Sequence, residues 1–121
     1  MTATASALFA FYSSFGLPAY QTDTVPDDAE MPYITYLYAE PQYQSPTSHY
    51  AQLYMRTNSN AELLEKAGEI LRAIGDGVVF DCGVVIRPEN PLLQVLADES
   101  NPDIRSAYIN LQLNAFHVPG A

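Results

Sequence analysis

Two strand-like runs decide the fold of this chain: YITYLYAE at residues 33–40 and YAQLYMRT at residues 50–57. Six of the nine tyrosines fall between Tyr33 and Tyr54. Successive side chains of a strand point to opposite faces, and in these runs both faces carry apolar or aromatic residues. On one side of the first run lie Ile34, Tyr36 and Tyr38, and on the other lie Tyr33, Leu37 and Ala39.

A sheet with one solvated face alternates more cleanly between apolar and polar residues than these runs do. The surplus face therefore needs cover from a helix, from another sheet or from another copy of the chain. Tyrosine suits such a surface because its ring buries a large area while its hydroxyl tolerates a wet rim. Packing of the tyrosines within the core of one chain is the alternative. The candidate residues for an oligomer interface are Tyr36, Tyr38, Tyr50, Leu53 and Tyr54.

Length and composition indicate a single folded domain over residues 1–121, with 48% hydrophobic and 16% charged residues. Five Lys or Arg against fourteen Asp or Glu give a formal net charge of −9. Such a surface repels a phosphate backbone, so the sequence predicts no specific binding of nucleic acid. Cys82 is the only cysteine, which excludes an intrachain disulfide and fits a reducing cytosol. With no basic residue before Phe15 and no apolar run near ~20 residues, we expect a soluble intracellular protein without a membrane segment.

The periodicity of apolar residues predicts two helices. In residues 1–16, the positions Leu8, Phe11, Tyr12 and Phe15 recur at helical spacing before Gly16. The amphipathic helix 59–75 has an apolar stripe through Leu63, Leu64, Ala67, Ile70, Leu71 and Ile74. Ser59 and Glu62 fit a capping box, and Glu62 with Lys66 fits an i,i+4 ion pair.

The remaining segments are predicted to be strands and loops. The proline-rich segment 17–32 is predicted to be an extended surface connection, and 41–49 an exposed loop tip. Residues 78–117 hold the C-terminal strands, of which the last alternates strictly from Ala107 to Phe116 and is long enough for a central position. With the strand pair 33–57, this order predicts an α+β fold: a mainly antiparallel sheet, two helices packed on one face, and a long two-stranded arm.

Residue patterns for catalysis, cofactor binding or metal binding are missing from the sequence. His49 and His117 have no second ligand at metal spacing, and we interpret both as solvent-facing. Cys82 has no basic neighbour in sequence to activate its thiol and is predicted to pack in the core. The acidic pairs at 27–28 and 98–99 lie in loops, and the acidic run 98–103 lacks the glycine and the distal glutamate of a calcium loop.

Several stretches resemble the tail terminator (tail-completion) proteins of long-tailed bacteriophages. They are FGLPAY at 15–20, VPDDA at 25–29, PYITY at 32–36, TNSN at 57–60 and IRSAYINL at 104–111. The resemblance covers most of the chain in order. The chain departs from its relatives in having no Trp, and in carrying NPLLQ at 90–94 where relatives often show a Gly-Pro-Phe loop.

This resemblance implies a structural role without catalytic residues, cofactor or metal. Such proteins form a homo-oligomeric ring, commonly a hexamer, which ends polymerisation of the tail tube protein and offers a surface to the head connector or stopper protein. DNA would only pass through the lumen. The protein would lie in the host cytoplasm during assembly and then at the head–tail junction of the virion.

Two other interpretations remain open at this point. Within the same class, the chain is a head–tail adaptor or stopper of the phage connector. In a different class, it is a small α+β enzyme or ligand-binding module whose tyrosines line a pocket between sheet and helices.

Overall fold

The computed structural model describes residues 2–43 and 45–116 of the chain. The described residues form two helices and six strands. This confirms the predicted α+β fold with a mostly antiparallel sheet. In chain order the elements are α1 (Ala3–Ser13), β1 (Ala19–Gln21), β2 (Tyr33–Tyr36), β3 (Thr47–Arg56), α2 (Asn60–Ile74), β4 (Val78–Val79), β5 (Val84–Ala97) and β6 (Ile104–Ala115).

The strands form one sheet in the order β1-β2-β3-β6-β5-β4. Only β1 and β2 are parallel, and the other neighbours are antiparallel. The longest uninterrupted pairing joins β3 and β6, from Thr47 opposite Leu113 to Arg56 opposite Ile104. The central position expected for the last strand is confirmed, since β6 lies between β3 and β5.

Helix α2 forms where the apolar stripe predicts it. Leu63, Ala67, Ile70 and Ile74 are buried and Leu71 is partly buried, whereas Leu64 is 41% exposed, so the buried stripe is narrower than predicted. The Ser59 hydroxyl accepts a hydrogen bond from the backbone N–H of Ala61 at 3.2 Å, and so caps the helix at its start. The predicted Glu62–Lys66 pair is wrong: Lys66 instead contacts Glu69 at 2.7 Å on a partly exposed surface, where an ion pair contributes little.

Helix α1 begins after Thr2, whose hydroxyl accepts a hydrogen bond from the backbone N–H of Ala5 at 3.0 Å. Leu8 and Tyr12 are fully buried, and Phe11 packs half-buried against the core. The chain turns away at Gly16, whose φ of +79° is a conformation that favours glycine.

Alternate positions of the strands bury their side chains in one cluster. Its strand members include Ile34, Tyr36, Ala51, Leu53, Met55, Ala107, Ile109, Leu111 and Leu113. The apolar residues of α1 and α2 belong to the same cluster. The period-two pattern predicted for the last strand is therefore confirmed from Ala107 to Leu113 by the burial of Ala107, Ile109, Leu111 and Leu113.

The proline-rich segments are more ordered than the sequence suggests. Strand β1 and a short 3-10 turn lie inside the predicted surface connection 17–32. Strand β5 continues through Pro88 and Pro91, with a shift of register against β6 between Pro88 and Leu93. In the connector before β3, Tyr43 forms a bridge to Ala115, which ties the predicted loop tip to the end of β6.

Candidate functional site

Five tyrosines lie at strand positions that alternate with the core positions, and we call them the tyrosine face: Tyr20, Tyr33, Tyr50, Tyr54 and Tyr108. All five are half-buried. The ring centroids of Tyr20 and Tyr33 are 5.8 Å apart, those of Tyr33 and Tyr54 are 5.3 Å apart, and Tyr50 stacks on Tyr108 at 5.0 Å. Cross-strand pairing explains this array, because Tyr33 lies opposite Tyr54 and Gln52 opposite Tyr108.

Two hydroxyls of the tyrosine face, those of Tyr54 and Tyr108, have a raised pKa. Partial burial raises the pKa of Tyr54, and the neighbouring Tyr33 and Tyr50 raise it further. Burial also raises the pKa of Tyr108, with a further contribution from Tyr50. The Tyr50 hydroxyl donates to the Thr22 Oγ1 at 2.8 Å. Such groups can donate and accept hydrogen bonds at the rim of a contact without carrying charge.

Uncharged polar residues extend the same surface along β6. Asn110, Gln112 and Asn114 are half-exposed there, and the Gln52 side-chain amide donates to the Ser106 hydroxyl at 3.0 Å. The positions of this face from 50 to 54 on β3 and from 106 to 114 on β6 hold only Tyr, Gln, Ser and Asn. In a chain of net charge −9, a neutral strip of this length is a distinct surface.

The opposite side of the same strands holds a second aromatic group, which we call the buried cluster: Tyr12, Tyr36 and His49. The rings of Tyr12 and Tyr36 stack at 5.0 Å. The Nδ1 of His49 lies 2.8 Å from the Leu37 carbonyl oxygen, which can only accept, so this nitrogen carries the proton. The Nε2 of His49 then accepts a hydrogen bond from the Tyr12 hydroxyl at 2.7 Å.

His49 corrects a prediction, since the sequence placed it in a solvent-facing loop. Strand β3 begins two residues before it, and only 1% of the residue is exposed. Both ring nitrogens have partners inside the protein, which makes the burial of this polar side chain tolerable. Burial lowers its pKa to about 4, against a smaller opposing effect of the hydrogen bond to Leu37. The ring is therefore neutral at physiological pH.

The predicted interface residues separate into three places. Tyr50 and Tyr54 lie together on the tyrosine face. Tyr36 and Leu53 are 1% and 0% exposed in the core, which corrects their assignment, because side chains buried in the core of one chain are not available to a second one. Tyr38 lies in the connector after β2, where its hydroxyl is 3.0 Å from Thr2 Oγ1 and also donates to Glu40.

Sequence reasoning missed three members of the tyrosine face: Tyr20, Tyr33 and Tyr108. The signal for Tyr108 was present, since it belongs to the polar set that alternates with the buried residues of β6. Tyr33 required the register of β2 against β3, and Tyr20 required a strand within a proline-rich segment. Pairing between strands distant in sequence is not readable from a single run.

Other candidate residues have structural explanations. Cys82 is exposed in the turn between β4 and β5, which corrects its predicted place in the core. The Asp98 carboxylate accepts hydrogen bonds from the hydroxyl and the backbone N–H of Ser100 at 2.7 and 2.8 Å, which hold its pKa below its usual range. Residues 2–43 and 45–116 contain no group of three His, Cys, Asp or Glu residues able to hold a metal ion. His117 lies outside the described residues.

Comparison with known proteins finds no matching family model and no matching curated protein. Among the described residues, neither helix is long and apolar enough to cross a membrane.

Proposed function

We propose that this chain is a structural, non-enzymatic tail terminator of a long-tailed bacteriophage. In this proposal, copies of the chain close into a ring, commonly hexameric, that caps the tail tube and ends its polymerisation. The observation that carries the proposal is the tyrosine face, a half-exposed aromatic surface in a chain of net charge −9.

The composition of this face is that of a protein contact. Interface cores are enriched in Tyr and depleted of Asp and Glu relative to the rest of a protein surface. The aromatic rings of Tyr33 and Tyr54 already contact each other, so their rotamers are partly fixed before a partner arrives. Aromatic anchors of this kind supply most of the energy of many interfaces. A solvated sheet face has no need of them, because Thr, Lys or Glu would serve there.

The finer features of the predicted fold belong to the same proposal. Both helices cover the face of the sheet that holds the buried cluster, and this leaves the tyrosine face free for a partner in the assembled tail. The segment between β2 and β3, which includes Tyr38, acts as an arm towards a neighbouring subunit. A ring requires a heterologous contact, in which two different patches of the chain meet at each boundary.

The charge of the chain suits the other partners of a terminator. A net charge of −9 opposes binding of a phosphate backbone, so DNA would pass through the ring without binding to it. The partners are then further copies of the chain, the tail tube protein and the head connector or stopper protein. The ring would assemble in the host cytoplasm and remain at the head–tail junction of the virion.

Electron microscopy of tail tubes assembled with purified protein tests this function. Wild-type protein should produce tubes of limited length that carry a ring at one end. Tyr54→Asp should leave the tubes uncapped, because it places a charge at the centre of the tyrosine face. Leu64→Asp is the control, because it adds the same charge at an exposed apolar residue of α2.

Two results would contradict the proposal. One is normal capping by Tyr54→Asp, which would separate the face from assembly. The other is a wild-type ring that binds head connectors but leaves tube length unchanged, which would identify an adaptor or stopper. The described interior gives no support to a tyrosine-lined ligand pocket, since Tyr12 and Tyr36 fill it by stacking on each other.

A further inference from the structure

The outer edge of β5 is an unpaired strand edge. Strand β4 pairs with β5 only at Val85 and Ile86, so residues 87–97 have β6 on one side alone. The backbone N–H of Asp98 donates to Ile104 of β6, and backbone groups of a strand alternate in direction. Leu93, Val95 and Ala97 therefore point their N–H and C=O groups away from the sheet, and none of these groups has a partner within residues 2–43 and 45–116.

The exposed part of this edge is uncharged and apolar. The run PLLQVLA at 91–97 holds no charge, and Val95 and Leu96 are 37% and 46% exposed. Protein edges are normally protected by charges, prolines or cover, because a free edge is a template for another strand. Pro88 and Pro91 protect the first half of the edge, whereas residues 92–97 of the second half include no charge and no proline. Residues 92–97 thus have the chemistry of a strand that pairs with another chain.

The other end of the sheet offers a complementary edge at β1. Ile34 of β2 donates to the carbonyl of Pro18, so the backbone groups of Ala19 and Gln21 point away from β2. The Gln21 carbonyl accepts a hydrogen bond from the Thr24 hydroxyl at 3.0 Å. Within residues 2–43 and 45–116, the N–H and C=O of Ala19 and the N–H of Gln21 have no partner; Ala19 itself is only 7% exposed, and Gln21 is half-exposed.

We propose that β5 of one copy pairs with β1 of the next copy, so that the sheets of successive subunits join edge to edge around the ring. This inference rests on the proposed ring and names its subunit contact. Through the pairings of the sheet, β1 and β5 run in opposite directions. In copies related by rotation about an axis along the strands, the two edges therefore meet antiparallel.

The distribution of charged residues also favours antiparallel pairing of β1 with β5. The chain continues from β1 into the acidic residues Asp23, Asp27, Asp28 and Glu30. Antiparallel pairing directs this segment towards the exposed Arg87 at the other end of the free edge. Parallel pairing would instead direct it towards Asp98, Glu99 and Asp103, and acids would face acids. Like charges placed opposite one another on neighbouring strands destabilise the pairing.

The tyrosine face fixes the register. Leu96 lies opposite Ser106 and lines a shallow depression together with Tyr54, so it belongs to the side of the sheet that carries the tyrosines. Tyr20 is on the same side of β1. Pairing Tyr20 with Leu96 of the next copy buries both, and it sets Gln21 opposite Val95. The tyrosine face then continues from one subunit to the next across each boundary.

Cysteine cross-linking tests this contact with a readout separate from tube capping. In a Cys82→Ser background, the double variant Gln21→Cys with Val95→Cys is oxidised in the presence of tail tubes. Directly paired antiparallel residues have Cα atoms about 5.5 Å apart, which suits a disulfide. We expect a ladder of covalent oligomers on a non-reducing gel. The matched control, Gln21→Cys with Leu96→Cys, places the thiols on opposite faces and should give no ladder.

The outcomes separate the edge contact from the proposed function. Rings that cap tubes without forming the ladder would overturn the edge contact and leave the terminator role standing. A ladder without capping would overturn the terminator role and leave the edge contact standing. Covalent dimers from Val95→Cys alone would show that two β5 edges pair about a two-fold axis, and this would also overturn the proposal. In the chain without added cysteines, Val95→Lys places a charge on the free edge and should prevent ring assembly on tail tubes, as seen by electron microscopy.

Discussion

Strand β3 carries two aromatic groups on its opposite sides, and they differ in how their polar atoms are satisfied. In the buried cluster, the Tyr12 hydroxyl and both nitrogens of His49 have partners inside the chain, and the Tyr12 and Tyr36 rings stack at 5.0 Å. On the tyrosine face, Tyr50 and Tyr108 stack at the same distance. Their hydroxyls, however, lie at the surface. The ring packing is alike, while the access of water is not.

This difference separates folding from assembly along a single strand. A buried polar network that is fully satisfied helps to specify one structure of the chain, and it leaves nothing for a partner to bind. Half-exposed tyrosines keep apolar ring area and hydroxyl groups available for a second surface. Substitutions on the two sides of β3 should therefore affect different measurements.

The largest effect should come from truncation on the core side. Leu53→Ala removes a fully buried side chain and should lower the free energy of unfolding by about 2–5 kcal/mol. Unfolding in urea, monitored by circular dichroism, measures this loss of stability. The control is Tyr54→Ala at the neighbouring position, which should lower the free energy of unfolding of the isolated chain much less. An equal loss in both variants would remove the distinction between the two sides.

Acidification should destabilise the chain through the buried cluster. His49 has a pKa of about 4 when folded and 6.5 when unfolded, so the unfolded chain binds the proton more readily. The full contribution is present above pH 6.5 and is lost as the pH falls towards 4, by about 3 kcal/mol in all. Unfolding measured at several pH values should show this slope in the wild type and not in His49→Gln. The same slope in both would place the titrating group elsewhere.

Removal of one hydroxyl from the buried cluster should have an intermediate effect. Tyr12→Phe keeps the ring stack and leaves Nε2 of His49 without its donor, at a cost of about 1–3 kcal/mol. Tyr50→Phe is the matched change on the tyrosine face and removes only an exposed bond to Thr22. Thermal unfolding compares the two variants. A Tyr12→Phe protein as stable as the wild type would show that water replaces the lost donor.

The smallest effect on folding should come from the substitution with the largest effect on assembly. Tyr54→Asp should change the unfolding free energy of the isolated chain by only about 1 kcal/mol, because the residue is half-exposed. Circular dichroism and urea denaturation check that the monomer is folded. A Tyr54→Asp chain that does not fold would show that this face stabilises the monomer.

Local periodicity was sufficient to predict the elements that bury one clear stripe. Helix α2 and strand β6 bury most of their predicted apolar positions, with Leu64 and Ala115 as exceptions, and the long alternation of β6 also predicted its central place. In both elements a single face is apolar, so the position of the core is unambiguous.

The tyrosine-rich runs were harder because both faces are apolar. Which side of β3 is the core depends on its pairing with β6, and that pairing connects distant residues, from Arg56 with Ile104 (48 positions apart) to Thr47 with Leu113 (66 positions apart). Leu53 and Tyr36 were therefore assigned to a surface that they do not reach. His49 was misplaced for a similar reason, since its partners Tyr12 and Leu37 lie far away in sequence.

The central claim is that the tyrosine face becomes buried when the chain assembles. Covalent labelling of tyrosines, read by mass spectrometry, compares the free chain with chain bound to tail tubes. The account predicts that Tyr50 and Tyr54 react in the free chain and become protected on the tubes, while Tyr12 and Tyr36 stay unreactive in both. Equal labelling of Tyr50 and Tyr54 in the free and the tube-bound chain would contradict it.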